Sequence, residues 1–266
     1  MRPQLNINKR IAPKKSLGQN FIYNKDFLNK LSNKIYSNST TDIIEIGPGS
    51  GSLTEYLKRK KFRNLILIEK DTNLSNILIN KYKYEKNIKV YNEDALTFDL
   101  SNISDNKEII IVGNLPFNVS SQLLIKWISY DKWPPFYNKM YLMFQKELGK
   151  RITSEINHKS YGKLSVLAQS RCDIKEIIEA PSNIFYPKPK VDGIVLEFTP
   201  IELFIDTDLQ KLTNILKVAF ENRRKKIKNS LSDYSEFFDN WEAEKDLRPE
   251  NLDVRKYCSL AKKLSI

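Results

Sequence analysis

The sequence predicts an α/β domain built on a mostly parallel sheet, followed by an all-helical segment. Three observations indicate this fold class. Short apolar runs alternate along the chain with helical patterns, as in α/β proteins. The first run leads directly into a glycine-rich turn, Gly47–Gly51, and residues 201–266 contain no glycine and have helical periodicity. The clearest apolar runs are Ile43–Ile46, Leu65–Ile68 and Ile109–Val112.

The composition favours a nucleic-acid partner and argues against a membrane protein. The 266 residues include 44 Lys plus Arg and 32 Asp plus Glu, a net charge of +12. Such an excess indicates a polyanionic partner, although an AT-rich genome would also account for part of it. The chain has no run of about 18 apolar residues, so we expect no membrane span. The N-terminus lacks the apolar core of a secretory signal.

The cysteines indicate the cellular compartment. Cys172 and Cys258 lie far apart in the sequence. They form neither the spacing of a metal site nor a disulfide framework. Unpaired cysteines are typical of a reducing compartment. We therefore predict a cytoplasmic protein without a metal site.

Two segments precede the first strand of the predicted sheet. Ser16–Ile22 is predicted to form a loop of defined conformation, and a helix is predicted over residues 26–35. The residues before this loop form either a frayed tail or an arm that binds nucleic acid. The basic residues of that stretch are Arg2, Lys9, Arg10, Lys14 and Lys15.

The glycine-rich turn lies between a buried strand and a helix that carries Leu53, Tyr56 and Leu57. Gly47 and Gly49 allow the backbone to approach a ligand closely, and a helix N-terminus directs amides toward it. A strand, a glycine-rich turn and a helix in this order predict a nucleotide-type loop.

Two carboxylates end the neighbouring strands of the predicted sheet. Glu69 follows the second strand, about 20 residues after Gly47, where an acid binds ribose hydroxyls in such folds. Asp94 follows the third strand, Ile88–Tyr91, in the same way. The two acids therefore suit a nucleoside, with the ribose at Glu69 and the adenine amine at Asp94. For Glu69, an ordinary surface carboxylate at a strand end remains the alternative.

The fourth strand, Ile109–Gly113, runs into Asn114-Leu115-Pro116-Phe117. Asn114 offers a side-chain carbonyl acceptor. Pro116 biases Leu115 toward an extended conformation, which gives the Leu115 carbonyl a defined direction. Phe117 supplies a flat face for stacking. Two acceptors beside a stacking face suit a planar ring with an exocyclic amine, such as adenine.

This arrangement predicts methyl transfer to an adenine amine. The lone pair of that amine is delocalised into the ring and is a poor nucleophile. Two acceptors that hold the amine protons can turn the lone pair toward an electrophile, and a sulfonium methyl group then requires no strong base. Positioning and electrostatics would supply most of the rate. For the tetrapeptide alone, an ordinary Asn-x-Pro turn is the alternative.

The alternation of helices and strands continues to Pro200. A stiff basic connection that contains Lys188 and Lys190 precedes the last strand, which we expect at or near a sheet edge. The predicted elements are a helix over Ser121–Ile128, a strand over Met140–Phe144, a helix through Ile152, a helix over Leu164–Cys172, and strands over Asp173–Glu179 and Ile194–Phe198.

The helical segment carries the strongest basic run. An amphipathic helix over Leu209–Phe220 is predicted to continue to Asn229 and to present its charges as a stripe suited to phosphates. A solvated helix face is the alternative, and Lys58–Arg63 is a competing RNA contact. Asp253 is predicted to cap a final helix over Val254–Leu264. The basic residues of the stripe are Arg223, Arg224, Lys225, Lys226 and Lys228.

These features divide the chain into a domain over 1–200 and a small helical RNA-substrate domain over 201–266. Together the motifs resemble class I methyltransferases that use S-adenosylmethionine. The resemblance narrows to the KsgA (RsmA) ribosomal RNA small-subunit adenine dimethyltransferases, on strings that span nearly the whole chain. The strings are Ser16–Phe21, Gln145–Glu147, Tyr161–Val166, Phe185–Asp192 and Asn222–Lys226.

The resemblance implies a Rossmann-like fold and S-adenosylmethionine as the cofactor, with S-adenosylhomocysteine as product. It implies N6-dimethylation of two adjacent adenosines near the 3′ end of 16S ribosomal RNA during ribosome biogenesis. The implied partner is the assembling small subunit, and we expect a monomer.

The resemblance also implies roles for particular residues. Asn20 and Ile22 would line the cofactor site, with Gly47 at its methionine end. Glu69 would bind the ribose, Asp94 the cofactor adenine, and Asn114 would lie between cofactor and target base. Bacterial members usually carry tyrosine at the position of Phe117, so here the stacking face is kept and the phenol hydroxyl is lost.

Two other functions stay open at this point. An Erm-type methyltransferase modifies large-subunit (23S) RNA and shares the catalytic strings, but it fits Tyr161–Val166 and Arg223–Lys228 less well. A non-catalytic RNA-binding assembly factor would share the fold. The intact Asn114–Phe117 motif and the intact acids argue against that second alternative.

Overall fold

The computed structural model describes residues 12–14, 17–105, 108–130 and 132–264. Of the basic residues in the predicted N-terminal arm, only Lys14 falls within these ranges. The helices are α1 Lys25–Lys34, α2 Thr54–Leu57, α3 Thr72–Tyr82, α4 Ser120–Ile128, α5 Lys146–Ile152, α6 Lys163–Gln169, α7 Leu209–Glu221, α8 Ile227–Ser230, α9 Trp241–Glu244 and α10 Val254–Lys263. The strands are β1 Phe21–Ile22, β2 Asp42–Ile46, β3 Asn64–Ile68, β4 Ile88–Tyr91, β5 Ile109–Gly113, β6 Lys139–Gln145, β7 Cys172–Ala180, β8 Phe185–Tyr186 and β9 Gly193–Pro200.

The central sheet has seven strands in the order β4-β3-β2-β5-β6-β9-β7. Strands β2 to β6 are parallel, and β9 runs antiparallel to both of its neighbours, β6 and β7. The prediction of a last strand near an edge is thereby confirmed, since β7 forms that edge. The parallel strands end at one edge of the sheet, so the residues that follow them are brought together there.

The strands are buried on both faces, which explains their nearly continuous apolar sequences. Every residue of β2 is buried. Side chains alternate between the faces, so Ile44 and Ile46 belong to one hydrophobic cluster and Ile43 to the other. Helices cover both clusters and leave the carboxyl edge of the strands as the place for a ligand.

Asx residues set where several helices begin. Asn24, Asp71 and Asp208 accept hydrogen bonds from the first-turn amides of α1, α3 and α7. Asp253 caps α10 by accepting from the Lys256 amide at 2.8 Å. The predicted final helix is therefore confirmed.

Two predicted helices extend too far. The helix predicted over Leu164–Cys172 ends at Gln169, and Cys172 instead begins β7, where it pairs with Pro200 of β9. The predicted helix through Asn229 ends at Glu221. Residues 223–226 lie in a turn between α7 and α8, and Lys228 lies in α8. The Ile227 amide donates to the Leu247 carbonyl at 2.8 Å, and the Ile227 side chain is buried. Tertiary contacts thus override the helical pattern, and the charges do not form a helical stripe.

The C-terminal helices pack on the same hydrophobic cluster as the sheet. Leu212 and Leu216 of α7 and Ala261 of α10 share this cluster with Ile44 of β2. The predicted division at residue 200 therefore separates two parts with a common core. In the described ranges, no helix is both long and apolar enough to cross a membrane.

Candidate active site

A cavity opens at the carboxyl edge of the parallel strands. Three parts of the chain line it: segment 17–22, the glycine-rich turn, and the residues that follow β3, β4 and β5. The predicted cofactor and catalytic residues all line this cavity. They are Asn20, Ile22, Gly47, Gly49, Glu69, Asp94, Asn114, Leu115, Pro116 and Phe117.

The glycine-rich turn has a backbone that side chains rarely permit. Gly47, Gly49 and Gly51 have φ values of 64°, 60° and 77°. A Cβ atom on Gly49 would lie 2.9 Å from the Phe21 ring, so glycine also allows segment 17–22 to cover the turn. Helix α2 has only four residues. The glycine-rich turn therefore contributes to a ligand site mainly through the shape of its backbone, and less through the N-terminus of α2.

Glu69 is buried and fixed by backbone amides. Its Oε2 atom accepts from the Gly49 amide at 2.9 Å, and its Oε1 atom accepts from the Asp71 amide at 2.8 Å. Each carboxylate oxygen has a second lone pair, so both can still accept from a ligand hydroxyl. Burial raises the pKa of Glu69 above its usual value, while the two amides favour the ionised form.

Asp94 lies at the neighbouring strand tip and is partly exposed. Its Oδ1 atom accepts from the Leu96 amide at 3.0 Å, and Lys70 Nζ lies 2.7 Å from Oδ2. Burial raises the pKa of Asp94, but the hydrogen bonds from Lys70 and Leu96 outweigh burial and hold the pKa below its usual value. The carboxylate is thus ionised at neutral pH and can accept from an amine.

The side-chain amide of Asn114 is oriented by segment 17–22. Its Nδ2 atom donates to the Asn20 carbonyl at 2.9 Å. Asn114 lines the cavity, and its Oδ1 atom lies on the other branch of the amide. Asn20 Nδ2 in turn donates to the Gly18 carbonyl at 3.2 Å.

The rest of the tetrapeptide forms a wall beside the Asn114 amide. The Leu115 side chain is buried in the core, so its contribution to a ligand comes from its backbone. Phe117 is partly exposed and packs edge-on against Phe185, with ring centroids 6.3 Å apart. Phe185 belongs to β8, which pairs with β1. A two-stranded sheet therefore brings a second aromatic ring to the stacking position.

Glu45 is a site residue that the sequence analysis missed. It lies in the buried strand β2, lines the cavity, and accepts from Thr54 Oγ1 at 2.7 Å. The pKa of Glu45 is raised to about 7, mainly by burial and in part by the nearby Glu69 carboxylate. An acid within an otherwise apolar strand, two residues before the first glycine, was the available signal.

The basic turn, residues 222–228, lies away from this cavity. Lys226 and Lys228 both pair with Asp246, at 3.0 and 2.8 Å, and Arg223 Nε lies 3.5 Å from Glu250. Arg224 and Lys225 are exposed, and within the described ranges neither pairs with a carboxylate.

Two further basic segments were candidates for RNA contact. Lys188 and Lys190 are exposed and follow the last residue of β8 by two and four residues. In the competing segment, Arg63 binds Asp42 through two hydrogen bonds, at 2.9 and 2.7 Å. Arg63 is therefore held by a structural ion pair.

The residues present fit S-adenosylmethionine, a nucleoside that carries positive charge. Glu69 and Asp94 are acceptors at adjacent strand tips, and the glycine-rich turn admits a ligand next to the backbone. The described residues hold no group of three or more potential metal ligands. The fold and these residues define a class I S-adenosylmethionine-dependent methyltransferase. The chain belongs to the ribosomal RNA adenine dimethylase family, whose sequence model matches residues 11–265.

Similar proteins cover nearly the full length of the chain. The ribosomal RNA small subunit methyltransferase A of Pelagibacter ubique is 39% identical over 260 residues, 95% of this chain and 97% of the relative. The protein of the same name from Ehrlichia ruminantium is 37% identical over 267 residues, 97% of this chain and 99% of the relative.

Two solved structures share the fold. A dimethyladenosine transferase from Plasmodium falciparum has a TM-score of 0.78 at 23% identity, over 92% of this chain and 97% of that one. The 23S rRNA methyltransferase ErmE has a TM-score of 0.69 at 18% identity, over 92% of this chain and 100% of that one. At these identities the two structures support the fold alone.

Proposed function

We propose that this enzyme dimethylates the N6 amines of two adjacent adenosines near the 3′ end of small-subunit ribosomal RNA. The observation that carries the proposal is the Asn114 amide, whose Nδ2 atom is held by Asn20 so that Oδ1 accepts at the cavity. The small-subunit names of the relatives support the choice of ribosomal RNA. We further propose that the enzyme acts as a cytoplasmic monomer on the assembling small subunit.

The side chains activate the amine by position. Asn114 Oδ1 and the Leu115 carbonyl accept the two amine protons and turn the nitrogen lone pair out of the ring plane. S-adenosylmethionine, when bound, supplies an electrophilic methyl group. Phe117 stacks on the base, and Phe185 supports the Phe117 ring from its edge. Methyl addition makes the nitrogen cationic, and release of one proton to solvent gives a neutral amine that retains one proton. Only one acceptor therefore stays engaged during the second transfer.

We propose that the helical part, residues 201–266, positions the RNA through phosphates. Arg224 and Lys225 of the basic turn are exposed and within the described ranges unpaired with carboxylates, which favours them over the other charges of that turn. Lys188 and Lys190 would support the RNA next to the target base. Phosphate contacts orient a nucleic acid without reading its sequence.

Methyl transfer to purified subunits tests this proposal. With radiolabelled S-adenosylmethionine, we expect label in unmethylated small subunits and none in large subunits, and primer extension should stop at two adjacent adenosines. Label in large subunits alone would favour the Erm-type alternative. An absence of label in both would favour a non-catalytic assembly factor.

Substitutions of Phe117 test the stacking role in the same assay. Phe117→Tyr keeps a ring and should retain activity. Phe117→Ala should lose the stacking energy, about 1–3 kcal/mol. An alanine variant that methylates at the wild-type rate would remove Phe117 from the mechanism.

A further inference from the structure

A closed set of hydrogen bonds joins the N-terminal segment to the start of α3. Lys14 Nζ donates to Asp71 Oδ1 at 2.8 Å, and Gln19 Nε2 donates to Asp71 Oδ2 at 3.1 Å. The Lys14 backbone amide donates to Gln19 Oε1 at 2.8 Å and closes the set. We call Lys14, Gln19 and Asp71 the latch.

The carboxylate of the latch is buried. Asp71 is 3% exposed, and its Oδ1 atom also caps α3 by accepting from the Asn73 amide at 3.0 Å. A buried carboxylate is costly unless it is hydrogen-bonded. The helix cap uses one hydrogen bond to Asp71 Oδ1, and Lys14 and Gln19 of the N-terminal segment donate the other side-chain hydrogen bonds to the carboxylate. Asp71 therefore needs the donors of this segment to stay buried as a carboxylate, and the segment is held in place by Asp71.

Hydrogen bonds lead from the latch to the catalytic amide. Gln19 is followed directly by Asn20, whose carbonyl accepts from Asn114 Nδ2. The backbone amide of Asp71 donates to Glu69 Oε1, which belongs to another residue of the cavity lining. Asp71 thus contacts both the wall formed by segment 17–22 and the acid at the second strand tip.

We propose that Asp71 is a positioning residue for methyl transfer. By holding Lys14 and Gln19, it fixes segment 17–22 as a wall of the cofactor cavity and keeps the Asn20 carbonyl next to Asn114. The inference depends on the cofactor and not on the identity of the RNA. Cofactor binding can be measured without RNA, so a wrong substrate assignment would leave this test unaffected.

The latch also gives Lys14 a different role from a nucleic-acid arm. The Lys14 side chain is 46% exposed, yet its ammonium group ends on a carboxylate that is 2% exposed. The positive charge of Lys14 is therefore paired with Asp71 within the protein. If Lys14 served as an arm instead, Lys14→Met would weaken RNA binding and leave cofactor binding unchanged.

The test uses substitutions that preserve the helix cap. Asp71→Asn keeps a good N-cap residue but removes the charge that Lys14 binds. By calorimetry we expect its Kd for S-adenosylmethionine to rise about tenfold, since a hydrogen bond to a charged group is lost. Lys14→Met should raise the Kd by a smaller factor because Lys14 is half exposed, and Lys14→Arg should restore most of the affinity.

Four further measurements separate positioning from general destabilisation. In the ligand-free protein, amides of residues 17–22 should exchange hydrogen faster in both variants, while the melting temperature changes little. The kcat should fall as well as the affinity, because Asn114 loses its fixed neighbour. The double variant should bind no more weakly than Asp71→Asn alone. Lys262→Met, which breaks an exposed ion pair with Asp206, is the control and should change none of these values.

The variants also exclude an electrostatic explanation through Glu69, whose pKa the Asp71 charge raises. Lys14→Met leaves that charge in place, so an effect limited to Asp71→Asn would overturn the proposal. Wild-type Kd and wild-type exchange in both variants would also overturn it. Independent, multiplying effects in the double variant would show that Lys14 and Asp71 do not act together.

Discussion

The cofactor edge of the sheet and the basic turn hold their charged groups in different ways. At the cofactor edge, burial raises the pKa of Glu45 to about 7. Asp246, which pairs with the basic turn, is exposed, and hydrogen bonds from Lys228 and Lys226 lower its pKa to about 2. The first region fixes each group by strand ends and backbone hydrogen bonds. The second consists of exposed ion pairs that can rearrange.

This difference matches the two ligands that we propose for these regions, the cofactor and RNA. A small cofactor and a target amine need acceptors fixed to within a fraction of an ångström, since positioning supplies the rate. RNA phosphates are held by charge, which tolerates mobile side chains. The comparison also shows that a count of basic residues overestimates the number of cations available to phosphates, because Lys226 and Lys228 already share one carboxylate.

The largest effect is expected at the cofactor edge. Asn114→Ala should lower kcat about a hundredfold or more, as the loss of a transition-state polar contact does. The Kd for the cofactor should change less, because Asn114 is connected to the cofactor part of the cavity mainly through its hydrogen bond to the Asn20 carbonyl. Single-turnover methyl transfer, with Asn80→Ala on the exposed face of α3 as the control, checks this. A near-normal rate in Asn114→Ala would mean that the fixed amide is not the activating group.

A smaller effect is expected from the buried acid Glu45. Its pKa in the folded protein lies above its ordinary value of 4.5, so the folded state binds this proton more tightly than the unfolded state does. Stability should therefore fall as pH rises from about 4.5 to about 7, by roughly 1–3 kcal/mol. Glu45→Gln lacks this dependence and should exceed the wild type in stability at pH 8 more than at pH 5.

Denaturant unfolding of both proteins between pH 5 and 8 measures this difference. Thr54→Val sharpens the test, because it removes the hydroxyl that favours the ionised form and should move the decline to higher pH. A constant difference between wild type and Glu45→Gln across this range would show that Glu45 titrates as an ordinary acid.

The smallest effect is expected within the basic turn. Arg224→Gln/Lys225→Gln should weaken subunit binding about tenfold at 0.15 M salt and lower the salt slope by roughly 1.5–2. The matched variant Lys226→Gln/Lys228→Gln/Asp246→Asn removes two cations with the anion they share. It should lower the slope by less than about 1. Equal slopes for the two variants would contradict the role assigned to ion pairing.

Sequence reasoning located the cofactor edge because its residues follow contiguous motifs. Glu69, Asp94 and Asn114 each end a strand with a clear apolar pattern, and parallel strands bring such ends together. The pairing of β1 with β8 could not be predicted, since two-residue strands have no periodicity. The same holds for the contact of Lys14 with Asp71, which joins residues far apart in the sequence. The basic turn was missed because burial of Ile227 overrides local helical preference.

The common core has a consequence for how the protein is made. The cluster that contains Ile44 of β2 is completed by Tyr257 and Ala261 of α10. During synthesis, all seven strands of the sheet are made before α10, so part of this cluster stays uncovered until α10 is added. Exposed faces of this kind are where nascent chains aggregate or bind chaperones. A protein whose family modifies ribosomal RNA thus depends on a late step of translation to finish its own folding.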